Sequence, residues 1–79
     1  MVNFDFCNND LYAGLSYLKS IANHSCMIIL QNGNIYTNFI IHEESCQIIL
    51  SNCNGNTYAM DINLFVEQCI EKNILFYVS

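Results

Sequence analysis

The chain contains no proline, no tryptophan and no arginine, and its only basic side chains are Lys19 and Lys72. Seven acidic residues leave a formal net charge of −5 at pH 7. A nucleic-acid site needs lysine and arginine to displace the counterions of the phosphate backbone. The shortage of basic residues therefore argues against direct binding of DNA or RNA, and equally against binding to anionic membranes.

Long hydrophobic runs are also missing, since no apolar segment approaches the ~18 residues that a membrane-spanning helix needs. The first seven residues include Asn3 and Asp5 and lack the basic and apolar regions of a secretory signal. We therefore expect a cytoplasmic protein with reduced thiols. The cysteines are odd in number and are expected to be mostly small buried hydrophobic residues: Cys7, Cys26, Cys46, Cys53 and Cys69.

A short block of sequence occurs twice. Residues 25–36 read Ser-Cys-Met-Ile-Ile-Leu-Gln-Asn-Gly-Asn-Ile-Tyr, and residues 45–58 read Ser-Cys-Gln-Ile-Ile-Leu-Ser-Asn-Cys-Asn-Gly-Asn-Thr-Tyr. Each copy is an apolar run, an Asn-Gly pair and the start of a second strand. Asn-Gly is the strongest local hairpin signal, because a type I′ turn needs two central residues that tolerate positive φ. The repeat therefore predicts two tandem β-hairpins.

Helical periodicity flanks these hairpins on both sides. Leu11, Leu15 and Leu18 predict a first helix, with Asn8 or Asn9 as its N-cap and Asn23 as its stop. Gly14, inside this helix, is expected to mark close packing on the sheet. A second helix is predicted after Asp61 as N-cap, on an apolar face of five residues: Ile62, Phe65, Val66, Cys69 and Ile70.

The predicted fold is a single α+β domain over residues 1–79, in the order α-β-β-β-β-α-β. Its expected strands are 26–31, 34–42, 46–51, 57–60 and 74–78, which form one antiparallel sheet with both helices on one face. The runs Ile28-Ile29-Leu30 and Ile48-Ile49-Leu50 place apolar side chains on both faces of their strands. Such a sheet is either covered on both sides or has an apolar outer face.

Residues with catalytic or metal-binding chemistry form no recognisable motif. His24, Cys26, His42 and Cys46 are the most suitable zinc ligands, but they lack the tight paired spacing of structural zinc sites. No cysteine is placed for activation at a helix N-terminus with positive neighbours. We therefore expect neither an enzyme nor a cofactor, and a small zinc protein is the weakest of the alternatives.

The remaining candidates are residues for binding another protein. The acidic side chains form a candidate docking patch for a basic partner surface: Glu43, Glu44, Asp61, Glu67 and Glu71. Tyr36 and Tyr58 occupy matching positions in the repeat, and tyrosine is enriched at interface hot spots. Cross-strand packing is the simpler explanation of the two tyrosines.

In element order and acidic charge, the chain resembles some small phage-encoded CRISPR inhibitors. It shares no motif with them, and its charged fraction of 11% is low for such proteins. The resemblance implies a protein that blocks a nucleic-acid groove on a host defence enzyme in the host cytoplasm, and it assigns no residue roles. A second copy of the chain is also a candidate partner, since the apolar strand 74–78 is suited to edge-to-edge pairing. The alternative function is a self-assembling accessory or structural subunit of a virus or mobile element.

Overall fold

The computed structural model of the chain describes residues 4–22 and 24–78. The predicted helix stop at Asn23 lies outside these residues. The α+β class is confirmed, with two helices and six strands in the described part of the chain. Their bounds are, in chain order, α1 Leu11–Ser20, β1 Cys26–Ile29, β2 Ile35–Tyr36, β3 Asn38–His42, β4 Gln47–Ser51, β5 Thr57–Asp61, α2 Ile62–Ile70 and β6 Leu75–Val78. Short 3-10 turns precede α1 (Phe6–Asn8) and join β3 to β4 (Glu43–Ser45).

Both Asn-Gly pairs form hairpin turns, as predicted, but the turns are not type I′. In the first, the Gly33 N–H donates to the Leu30 carbonyl and the Leu30 N–H donates to the Asn34 carbonyl, each at 2.9 Å. Residues 52–56 repeat this pattern. Within these two loops only the glycines have positive φ, 91° at Gly33 and 83° at Gly55. Each hairpin therefore has a three-residue loop in which a glycine bulge follows the turn.

The predicted single sheet is wrong, because the chain forms two antiparallel sheets of three strands each. We name them sheet A, in the order β2-β1-β6, and sheet B, in the order β3-β4-β5. The expected strand 34–42 is interrupted at Thr37, whose N–H donates to the Ser51 carbonyl at 2.9 Å while its own carbonyl accepts from the Cys26 N–H at 3.4 Å. Thr37 thus hydrogen-bonds to both sheets at the point where the strand passes from one to the other.

The two sheets share one core. The Phe76 ring of β6 lies 5.9 Å from the Phe39 ring of β3 and 6.1 Å from the Phe65 ring of α2, measured between ring centroids. Helix α2 packs against α1, β4 and β5. Its predicted apolar face is confirmed, since Ile62, Phe65, Val66 and Cys69 are buried. A core between the sheets and the helices leaves the opposite face of each sheet without a covering layer in the described chain.

Each helix begins at an aspartate cap. The Asp61 carboxylate accepts from the Leu64 N–H at 3.0 Å, which confirms the predicted cap of α2. The cap of α1 is Asp10, which accepts from the Ala13 N–H at 2.8 Å, rather than Asn8 or Asn9 as expected. A carboxylate at this position accepts a hydrogen bond from a free N–H, and its negative charge also interacts favourably with the positive end of the helix dipole. A neutral amide provides the hydrogen bond alone.

Gly14 marks close packing, but between the two helices rather than on the sheet. A β-carbon at this position would lie 2.6 Å from Val66 Cγ1 and 3.4 Å from two atoms of the Phe6 ring. Val66 is fully buried, and its β-branched side chain has little freedom to move away. The absence of a side chain at Gly14 is therefore what lets α1 approach α2.

We expect Gly14→Ala to lower the free energy of unfolding. The overlap with Val66 should cost about 1–3 kcal/mol, which exceeds the ~1 kcal/mol that alanine gains over glycine in a helix. Chemical denaturation measures the difference, with Ser16→Ala on the exposed side of the same helix as control. In a Val66→Ala background the added methyl group should lower the free energy of unfolding by less, because the overlapping side chain is gone. Equal stabilisation by Gly14→Ala and Ser16→Ala would contradict the close approach.

In the turn that follows helix α2, a lysine occupies a backbone conformation that favours glycine. Lys72 has φ 66°, its N–H donates to the Cys69 carbonyl at 3.1 Å, and the Asn73 N–H donates to the Gln68 carbonyl at 2.9 Å. These two bonds form a Schellman motif, whose left-handed position is usually occupied by glycine. The lysine β-carbon therefore introduces strain at this turn.

We expect Lys72→Gly to stabilise the protein by about 1 kcal/mol, since it removes that strain. For a domain of this size the melting temperature should rise by about 4–8 °C. Lys72→Ala is the matched control, because it removes the same charge but keeps a β-carbon. If both variants shift the thermal melting curve equally, charge rather than backbone strain is the cause.

Candidate interaction surfaces

Three of the predicted acidic residues lie at one end of sheet B. Glu43 and Glu44 lie in the 3-10 turn after β3, and Asp61 is the last residue of β5. The turn and the start of α2 are joined by a hydrogen bond of 2.9 Å from the Ile62 N–H to the Cys46 carbonyl. All three acidic side chains are exposed. The structure therefore places Asp61 at the same end of sheet B as Glu44 and Glu43, which precede it by 17 and 18 positions in the sequence.

The other two acidic residues, Glu67 and Glu71, follow one turn apart along the exposed side of α2. We call the five residues together the acidic surface: Glu43, Glu44, Asp61, Glu67 and Glu71. Lys19 Nζ lies 3.3 Å from Glu43 Oε1, and both side chains are largely exposed, so this ion pair contributes little to stability. It is the only ion pair among residues 4–22 and 24–78, and no sequence motif predicts it. The acidic surface therefore keeps most of its negative charge.

The two repeat-related tyrosines contact each other across the sheets. Tyr36 of β2 and Tyr58 of β5 stack with ring centroids 6.5 Å apart and an interplanar angle of 26°. Tyr36 is only 5% exposed, whereas Tyr58 is 45% exposed. The Asn52 amide also joins the hairpins by donating to the Ile35 carbonyl at 3.3 Å. Tyr36 therefore packs in the core, and Tyr58 is the one with area available to a partner.

Tyr58 also lines a groove of about 330 Å³ between the first hairpin turn, β5 and α2. The groove has an apolar base and carboxamide groups along it, and no charged residue lines it. Two of those carboxamides bond to each other, since Asn73 Nδ2 donates to Gln68 Oε1 at 3.0 Å. The groove is therefore a neutral surface, distinct in character from the acidic one. Its lining residues are Leu30, Gln31, Asn32, Tyr58, Met60, Leu64, Gln68, Asn73 and Ile74.

The outer face of sheet A contains only apolar side chains. In the strand register, Ile29 lies opposite both Ile35 and Leu75, and Met27 lies opposite Tyr77. We call these five residues the apolar face. Four of them are 40–48% exposed, and Ile29 in the middle is half-buried. Of the two arrangements that the sequence allowed, coverage on both sides or an apolar outer face, sheet A has the second.

Sheet B differs on its outer side. A central apolar row of Ile40, Ile49 and Ala59 runs across its three strands. Polar rows lie on either side of it in the register: Asn38, Ser51 and Thr57 at one end, and His42, Gln47 and Asp61 at the other. The outer side of sheet B is therefore a mixed surface, even though Ile40 alone is 60% exposed.

The four residues of the zinc alternative are not brought together. The Cys26 thiol is 3.6 Å from the Thr37 carbonyl oxygen, and His42 Nδ1 is 2.8 Å from Ser45 Oγ. No group of three or more His, Cys, Asp or Glu side chains within the described ranges is arranged to hold a metal ion. His24 and Cys46 are both exposed, at the start of sheet A and after the 3-10 turn.

The expectation that most of the cysteines are buried is wrong, because three of the five are exposed. Cys7, Cys46 and Cys53 are exposed, and Cys26 and Cys69 are buried. Cys53 lies in a hairpin loop, and Cys46 ends the 3-10 turn with φ 55°. Burial raises the pKa of Cys26 to about 11, and burial together with the nearby Cys7 raises the pKa of Cys69 to about 12. The two buried thiols therefore stay protonated at neutral pH and are poor nucleophiles.

Thiol alkylation should separate these two groups. Near neutral pH, iodoacetamide is expected to modify Cys7, Cys46 and Cys53 readily in the folded protein, since those side chains are exposed. Cys26 and Cys69 should react only after unfolding, because they are both buried and protonated. Peptide mass spectrometry over a time course measures each site, with the protein in denaturant as control. Rapid labelling of Cys69 in the folded protein would contradict the described packing of α2.

Comparison with known proteins gives no match: no family model fits the chain, and neither a curated protein nor a solved structure is similar to it. In the part of the chain that the structure describes, neither helix is long and apolar enough to cross a membrane. The roles of the acidic surface, the groove and the apolar face are therefore argued from their geometry and charge alone.

Proposed function

We propose that this chain is a non-catalytic binding protein whose acidic surface occupies a basic surface on a partner protein. The observation that carries this proposal is the convergence of Glu43, Glu44 and Asp61 at one end of sheet B, with Glu67 and Glu71 continuing along α2. All five side chains are exposed and point to a surface that a partner can reach. A set of exposed like charges attracts a complementary surface at long range and accelerates encounter.

The charge balance of the chain supports this use of the surface. Lys19 is paired with Glu43, and the other basic residue, Lys72, lies beyond the C-terminal end of α2. Five of the seven acidic residues belong to the acidic surface, so this surface keeps an excess of negative charge even with Lys19 beside Glu43 and Lys72 next to Glu71 in the chain. Because like charges at a surface repel each other, they are more stable once a basic partner covers them. Binding of this kind weakens as salt screens the charges.

The partner chemistry that fits is a surface rich in lysine and arginine. Proteins that handle nucleic acids carry such surfaces, since they neutralise phosphates. An acidic protein bound there competes with the nucleic acid for the same side chains. The more specific form of the proposal is an inhibitor of a host nucleic-acid-handling defence enzyme, of the kind that phages encode. This more specific proposal is supported by the element order and the acidic charge in which the chain resembles such inhibitors.

A second candidate is a self-assembling subunit of a larger particle. It is favoured by a different observation, the apolar face of sheet A, which contains no charged side chain. The two candidates use separate surfaces, and their responses to salt are opposite. Association through acidic side chains weakens as salt rises, whereas apolar contact between two acidic copies becomes stronger.

Neutralising the acidic surface should reduce binding to a basic partner. The test variant carries Glu44→Gln, Asp61→Asn, Glu67→Gln and Glu71→Gln, and Asn at position 61 keeps the helix cap. We expect affinity for immobilised basic nucleic-acid-binding proteins to fall roughly tenfold or more. It should also fall for the unchanged protein as salt rises. Surface plasmon resonance over a salt series measures both effects.

The control is Asp5→Asn with Asp10→Asn, which removes two acidic charges outside the acidic surface and retains both capping side chains. This control should bind nearly as well as the unchanged protein. Added DNA should release the bound partner if the acidic surface covers its phosphate-binding groove. Equal losses in the control and the test variant, or binding that is indifferent to salt, would contradict the proposal.

A further inference from the structure

We propose that the apolar face of sheet A is a self-association surface, on which a second copy of the chain packs face to face. This proposal deepens the second candidate function and rests on it, but it is separate from the acidic-surface proposal, which uses a different surface. The face is continuous across all three strands of the sheet: Ile35 of β2 lies beside Ile29 of β1, which lies beside Leu75 of β6. Met27 and Tyr77 form a second row. An uncovered apolar face of this kind marks an interaction site in a folded protein.

The distribution of charge favours a second copy over a basic partner as the occupant of this face. None of the seven acidic residues and neither lysine lies in β1, β2 or β6. A basic partner therefore has nothing to pair with on the apolar face and is drawn to the acidic surface instead. Two copies of a chain with net charge −5 repel each other, but on this face they can meet without burying a charge. The apolar face is therefore the surface on which two copies with the same net charge can pack with the least repulsion.

The shape of the face suits a symmetric contact. A three-stranded sheet packed on an identical one through a two-fold axis gives a sandwich, with the two sheets about 10 Å apart. The two rows of apolar side chains on one copy then pack against the same two rows on the other copy. The side chains at the rim, Met27 and Tyr77, also line a depression at the end of β1 and β6 that can receive a side chain from the partner copy.

The size of the face determines how strong this association is. Four side chains that are 40–48% exposed, together with Ile29, offer less than the roughly 800 Å² per partner that a standard stable interface buries. Interfaces below about 1,200 Å² in total are weak and transient. We therefore expect a dimer that forms at high protein concentration and dissociates on dilution.

Sedimentation velocity over a dilution series tests the proposal. The unchanged protein should shift from monomer to dimer as concentration rises, and the shift should occur at lower concentration when salt is added, because salt screens the repulsion between acidic copies. Leu75→Lys places a charge in the apolar face and should abolish the dimer. Met27→Lys, in the other row, is a second variant that should do the same. Circular dichroism confirms that each variant is folded.

The matched control is Ile40→Lys, which changes a more exposed apolar residue on the outer side of sheet B. It should dimerise like the unchanged protein. Methyl NMR adds a positional readout: Met27, Ile29, Ile35 and Leu75 should shift with concentration, whereas Ile40 and Ile49 should not. A monomer at every concentration, or a dimer that survives both lysine variants on sheet A, would overturn the proposal. Neither result bears on binding through the acidic surface.

Discussion

The packing of both sheets and both helices around Phe76 is the constraint on which the rest of the structure depends. Its ring lies within about 6 Å of rings on the first 3-10 turn, on β3 and on α2, so one side chain joins four parts of the chain. A chain of 79 residues has room for only one such core. Because the helices and both inner sheet faces are used to build it, no layer is left among the described residues to cover the outside of sheet A. The apolar face therefore follows from the use of every described helix and both inner sheet faces in this one core.

The sequence was most informative where the signal was local. The two hairpins follow from their Asn-Gly pairs, and α2 follows from Asp61 and the spacing of Ile62, Phe65, Val66 and Cys69. The predicted turn type was wrong because the same Asn-Gly pair fits a two-residue loop and a three-residue loop with a glycine bulge. Only the hydrogen-bond register of the strands distinguishes between those two loops.

What the sequence did not reveal depends on distant parts of the chain. The sequence around Thr37 does not predict that the strand changes sheets there. The change depends on hydrogen bonds to Cys26 and Ser51, which are distant in the chain. The residues on the outer face of sheet A likewise cannot be predicted before the register of β6 with β1 is known. That register determines whether Leu75 and Tyr77 point inward or outward. The acidic residues were all identifiable by type. Their convergence was not, because it requires the 3-10 turn to meet the start of α2.

The two proposed surfaces also explain why charge is distributed so unevenly. If acidic residues were spread over sheet A, two copies would repel at every approach, and the apolar face would be protected from self-association by negative charge. Instead, five of the seven acidic residues lie at the end of sheet B and along α2. A dimer formed through sheet A would leave both of these acidic surfaces unburied, since none of their residues belongs to β1, β2 or β6. Such a dimer presents two acidic surfaces at once. Its encounter with a basic partner is then favoured by the combined charge and, where the partner has two suitable sites, by bivalent attachment.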